Sequence, residues 1–159
     1  MLDLIFAIKF VHVLSVAVGF GTWLCLAIFM VLAHRSRNTS VVALTSRFVV
    51  TIELAVVTVA IVLQPLSGFP LAYAIGLEPM RELWIDISSV LYVVVLAVWL
   101  GALRTELHIR DVAREAALEH VPLPDGYRRL FRVWCWLAGP ILVGLVAIFA
   151  LMVWQPRLD

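Results

Sequence analysis

Charge is scarce in this sequence. Asp, Glu, Lys and Arg supply 14% of its 159 residues, against about a quarter in a soluble domain. A net charge of +1 provides no bulk field to attract a nucleic acid. Cysteine is nearly absent. Cys25 and Cys135 each lie inside an apolar run, so no disulfide framework is expected and both read as reduced packing residues. There is no HExxH, CxxC, P-loop or Gly-rich dinucleotide fingerprint, and no defensible Ser-His-Asp arrangement. Internal repeats and low-complexity tracts are also missing. The first residues lack a basic n-region and a small-residue cleavage site, so the first helix is expected to stay in the mature chain.

Apolar sequence fills the space left by those absences. Hydrophobic residues make up 64% of the chain, which predicts one integral membrane domain over residues 1–159. Four apolar segments stand out, at about 4–33, 48–63, 83–103 and 130–154, the second with room to start a turn or more earlier. Each is near the ~20 residues that cross a bilayer. Spanning segments must satisfy their own backbone, so the expected fold is all-α, an integral membrane four-helix bundle. Leu107, Val112 or Ala113, and Leu118 recur among mixed charges beyond the third span, which predicts a helical extension to about residue 120, ended by Pro122 and Pro124. The Pro65–Tyr73 stretch, broken by Pro65, Gly68 and Pro70, is expected to leave the helix and cap the bundle. Gly139-Pro140 should kink the fourth helix.

The basic residues set the expected orientation. Arg35, Arg37 and Arg47 cluster at the first connection. Arg104, Arg110, Arg114, Arg128, Arg129 and Arg132 cluster around the third. Glu78, Arg81, Glu82 and Asp86 mark the second. The positive-inside rule then places both termini outside, N-out and C-out. Trp84 and Trp154 are expected in the outer aromatic belt and Tyr127 near the inner one.

Ionisable groups inside the spans mark candidate sites, because hydrocarbon makes them expensive. At 100° per residue Lys9, His12, Val16, Gly19, Phe20, Trp23, Ala27, Met30 and His34 share one face, so that face should point inward. His12 would lie about 12 Å below the outer boundary at ~1.5 Å rise per residue. An imidazole there needs a hydrogen bond, a metal or a haem iron. No second histidine shares its depth, since His34, His108 and His120 lie at the other end. Iron on His12 would therefore be five-coordinate, take Met152, or use a second subunit. Lys9 is expected to pair with Asp86, the alternatives being a haem propionate or the outer surface. Ser88 and Ser89 add polar groups near that level. Glu53 is expected to form a structural ion pair with Arg104 or Arg132, with a proton relay as the alternative. Gln64 reads as interhelical glue. His34 and His108 could face each other across a metal, but cations at helix C-termini are ordinarily favourable without one.

Several short motifs then point to a family. Lys9-Phe10-Val11-His12, Gly19-Phe20-Gly21-Thr22, Gln64-Pro65-Leu66-Ser67-Gly68, Tyr127-Arg128-Arg129-Leu130 and Leu151-Met152-Val153 resemble bacterial four-span proteins of domain-of-unknown-function family 2269. That family is similar to the membrane domain of copper-resistance D-type proteins and to the four-helix membrane protoporphyrinogen oxidase. Some members of the wider group bind b-type haem through the first-helix histidine. The resemblance implies a haem or metal role for His12. It does not extend to the oxidase pattern: Gly19 stands where a tryptophan would, no Pro-Arg follows, and the third span has no lysine.

The leading functional expectation is a b-type haem redox protein, in electron transfer or as an accessory subunit, with His12 as axial ligand. One alternative is a copper or small-solute transport component, with Lys9, His12 and Asp86 lining an outer chamber. The absence of a Met and Cys cluster weighs against it. The other is a structural subunit of a larger membrane complex. The small residues Ala97, Gly101, Ala138 and Gly139 offer surfaces for a homodimer or for packing within one bundle.

Overall fold

A computed structural model describes residues 2–77 and 81–156. Glu78, assigned above to the second connection, lies outside the described residues. The described residues form four helices: α1 (Leu2–Ser36), α2 (Thr39–Ala74), α3 (Leu83–Leu118) and α4 (Asp125–Trp154). All four are long and apolar enough to cross a membrane, and the chain is an integral membrane four-helix bundle. At ~1.5 Å per residue α3, with 36 residues, is about 54 Å long. The hydrocarbon core is only about 30 Å thick, so its charged second half continues past the bilayer as one rigid rod.

Neighbours in sequence are neighbours in space. α1 packs on α2, α2 on α3, and α3 on α4. The T-shaped contact of Phe20 with Phe149, at 5.4 Å between ring centroids, brings α4 back to α1. Each helix turns one stripe inward. In α3 the stripe is Ser88, Val95, Trp99, Ala102, Glu106, Ile109 and Ala113. In α4 it is Tyr127, Phe131, Trp134, Ile141 and Gly144. The opposite faces carry exposed Phe6, Phe10, Phe29, Val93, Trp136 and Val143, as a lipid-facing surface requires. Gly19 lets α1 approach α2 closely, since a Cβ there would stand 2.7 Å from Ala60 Cβ. Ala97 and Gly139 face outward, whereas Gly101 faces Leu137 of α4.

Helix ends follow local chemistry. Asn38 caps α2, its Oδ1 accepting from the backbone N–H groups of Ser40 at 3.0 Å and Val41 at 3.2 Å. Asn38→Ala should therefore cost about 1 kcal/mol, read as a lowered midpoint in thermal unfolding of the detergent-solubilised protein. Arg37, Gly76, His120 and Gln155, which end the four helices, all adopt positive φ, the left-handed stop common at helix C-termini. Thr39 donates its hydroxyl to the Val121 carbonyl at 3.3 Å, which ties the first and third connections together.

The second span differs from the expectation. It does not end near residue 63, and Pro65–Tyr73 is not a cap: α2 starts at Thr39 and runs through both prolines to Ala74. The carbonyl that Pro65 leaves open finds another partner, as spanning helices require. Pro65 cannot donate to Ile61, and the Tyr92 hydroxyl of α3 donates to that carbonyl instead, at 2.7 Å. Two residues on, the Ser67 hydroxyl bonds back along the same helix to the Leu63 carbonyl at 2.5 Å. α2 also contains a π-helical turn at Glu53–Val57, where the Glu53 carbonyl accepts from both the Thr58 backbone N–H and its hydroxyl. α4 likewise begins at Asp125, earlier than expected, and is helical through Gly139-Pro140.

Candidate functional site

His12 lies half-buried against α2, and its surroundings fix its tautomer. Nδ1 is 3.0 Å from Ser67 Oγ. The single Ser67 hydroxyl proton goes to the Leu63 carbonyl, so Ser67 accepts and His12 donates from Nδ1–H. In the neutral ring the lone pair then sits on Nε2. Beneath the ring is Gly68, whose added Cβ would meet His12 Cε1 at 3.0 Å. Gln64 donates to the His12 carbonyl at 3.0 Å and to Ser15 Oγ at 2.6 Å, and Ser15 donates to the same carbonyl at 3.0 Å. The Gln64-Pro65-Leu66-Ser67-Gly68 segment thus shapes one wall around the first-helix histidine.

The other expected partners do not join it. Lys9 is exposed and forms no ion pair with Asp86 among the described residues. α1 carries Lys9 on its outer side, where the long side chain can reach the surface. Met152 is exposed and lies within a turn of Phe149, while His12 lies more than two turns from Phe20, the partner of Phe149. The two are therefore at different depths. Trp84 is buried beside Ala72 and Ile85, with its Nε1–H donating to Glu82 Oε2 at 3.2 Å, not out in a lipid-facing belt. Trp154 is exposed.

His12 does not line the cavity inside the bundle. The cavity inside the bundle begins at Ser15 and Gln64 and passes Gly19, Trp23 and Tyr92 to Trp99. It is apolar and holds about 80 Å³. A cavity of roughly 150 Å³ takes a benzene, so a porphyrin does not enter this one. With Ser67 and Gly68 on the ring, and Met152 elsewhere, the residues present do not fit a b-type haem within one bundle.

Deeper in the bundle the structure assembles a site of a different kind. Glu53 pairs with neither Arg104 nor Arg132, both of which are exposed. Its side chain, 1% exposed, instead accepts the indole N–H of Trp99, Nε1 to Oε1, at 2.6 Å. Glu106 of α3, 2% exposed, accepts the indole N–H of Trp134 of α4 in the same way, also at 2.6 Å. The second oxygen of each, Oε2, is buried with no hydrogen-bond partner. Neither carboxyl has a cationic partner among the described residues. Buried acids without a cation are costly, and π-helical turns such as the one beginning at Glu53 are frequent at functional sites.

A family model described as a predicted integral membrane protein, DUF2269, matches residues 6–156. The chain belongs to this family. No curated protein and no solved structure matches it.

In this family member a second polar cluster borders the acid pair on the side of the first and third connections. His34 Nδ1 is 3.1 Å from the Tyr127 hydroxyl, and its ring stacks on Phe131 at 3.8 Å. Phe131 in turn touches Trp134, the donor to Glu106. Tyr127 is therefore buried in the bundle and not at a lipid-facing belt. His108 is exposed, with Nδ1 2.7 Å from the Arg104 carbonyl of its own helix. No group of three or more His, Cys, Asp or Glu that could hold a metal occurs among the described residues. Glu106 was hidden in the sequence by its charged neighbours Arg104, His108, Arg110 and Asp111. The signal that could have found it is the stripe Trp99, Ala102, Glu106, Ile109 and Ala113, which holds one helical face across the change from apolar to charged sequence.

Proposed function

We propose that this protein handles protons within the bacterial inner membrane, with Glu53 and Glu106 as the proton-carrying groups. The observation behind this reading is the pair of buried carboxyls, each with one oxygen held by an indole and the other left without a partner. Ionising a buried carboxyl in low dielectric, with no cation beside it, is costly, so both acids favour holding a proton. The indoles fix the carboxyls in place, and the open Oε2 atoms are where protons attach and leave. With the termini outside, the connection end faces the cytoplasm. His34 and Tyr127 then border the acids on the cytoplasmic side. The cavity and the Ser15, Gln64, Ser67 and His12 group lie towards the outside.

The role expected for His12 changes accordingly. Its Nδ1–H is committed to Ser67 and its Nε2 is an acceptor, which suits it to take a proton at the outer end of this polar series. No redox step is assigned to it, because the surroundings do not fit a haem.

Proteoliposomes loaded with a pH-sensitive dye and placed under a potassium-diffusion potential test the proposal. The parent protein should move protons, and Glu53→Gln and Glu106→Gln should fall to the leak of empty vesicles. The infrared spectrum of the parent should contain a protonated-carboxyl C=O band that each substitution weakens. Undiminished flux in both variants, or no such band, would overturn the proposal.

A further inference from the structure

A groove on the outer surface of α2 and α3 is independent of the acid pair. Arg47 and Thr51 line it from α2, and Arg110 and Arg114 from α3. Each pair is four residues apart, so each lies one above the other on its helix face. Leu44, 56% exposed, and Leu118, 71% exposed, supply its apolar end. The groove holds about 660 Å³, far more than the cavity inside the bundle. No carboxylate lines it. Arg110 is engaged by Asp111, its Nη2 at 2.7 Å and its Nε at 2.9 Å from Oδ1. Arg47 and Arg114 are exposed and form no ion pair among the described residues.

We propose that this groove binds the phosphate headgroup of an anionic phospholipid. The two unengaged guanidiniums, Arg47 and Arg114, facing one space complement a phosphate, which each can meet with two parallel N–H donors. The Thr51 hydroxyl, which donates to the Arg47 carbonyl at 2.9 Å, adds no negative charge to the groove. The level is that of lipid headgroups: α3 is apolar up to Leu103 and charged from Arg104, and Arg47 is the only charged residue in the first turns of α2. Basic pockets between spanning helices on the cytoplasmic side suit such headgroups. A lipid, unlike a free anion, also finds exposed apolar surface for its acyl chains on the bilayer side of the arginines, at Leu54 of α2 and Leu100 of α3.

Thermal unfolding and native mass spectrometry of the purified protein in detergent test this, with phosphatidylglycerol, phosphatidylcholine or inorganic phosphate added. Phosphatidylglycerol should raise the midpoint and stay bound in the mass spectrum, while the other two should not. Arg47→Gln/Arg114→Gln should lose both effects, and Arg37→Gln/Arg129→Gln, with the same charge change elsewhere, should keep them. Gel filtration checks folding; the single variants Arg47→Gln and Arg114→Gln, each losing part of the shift, serve if the double variant misfolds. Three results would overturn the site: an equal shift with phosphatidylcholine, reproduction by phosphate alone, or persistence in Arg47→Gln/Arg114→Gln.

Discussion

Trp134→Phe should destabilise the protein by about 1–3 kcal/mol, and adding Glu106→Leu to that variant should recover most of the loss. The indole N–H is the sole partner of the Glu106 carboxyl among the described residues. Removing it alone strands a carboxyl whose other oxygen is already unpaired. Removing both partners strands nothing, because an apolar pair asks for no hydrogen bond. Trp99→Phe and Glu53→Leu should behave in the same way, through the bond at 2.6 Å between their parent side chains. Thermal unfolding of the four single and two double variants in one detergent is the measurement. Doubles as unstable as the sum of their singles would show that bulk, not the polar pairing, holds this region.

Gly144→Ala should be the most damaging small substitution in α4. An added Cβ would press on Val95 Cγ2 well inside contact distance. Val95 is buried and β-branched, so its χ1 has few alternatives. Overpacking of this kind costs about 1–3 kcal/mol. The helix-propensity gain of alanine over glycine, about 1 kcal/mol, offsets only part of it. Val95→Ala in the same chain removes the opposing methyl groups and should restore stability. Gly139, with open space around it, should accept alanine without loss. Unfolding midpoints of these variants separate a steric effect from a general intolerance of α4 to change.

Four spans and their all-helical nature were legible because uninterrupted apolar runs have few alternatives. Where α2 ends was not. Pro65 and Pro70 carry a strong local stop signal, and the groups that overrule it include Tyr92, 27 positions away in the chain. The importance of His12 as a fixed polar group was readable from its place in an apolar run. Its partner Ser67 was not, since the corner was expected outside the helix. Glu53 was recognised as buried and needing a partner, but the expected cations, Arg104 and Arg132, point away from the core. An indole satisfied it instead, and tryptophan in an apolar span reads as hydrophobic bulk. Glu106 escaped because a lone acid in a charged stretch looks solvated until the helix phase is carried through from the span before it.

Pro65 also bears on biogenesis. The carbonyl it leaves at Ile61 waits for a phenol that is translated later, so α2 entering lipid by itself exposes an unanswered acceptor. That debt is cleared only when α3 arrives alongside. The middle two segments are therefore best understood as a hairpin that inserts and matures together, with the first and last segments closing around it.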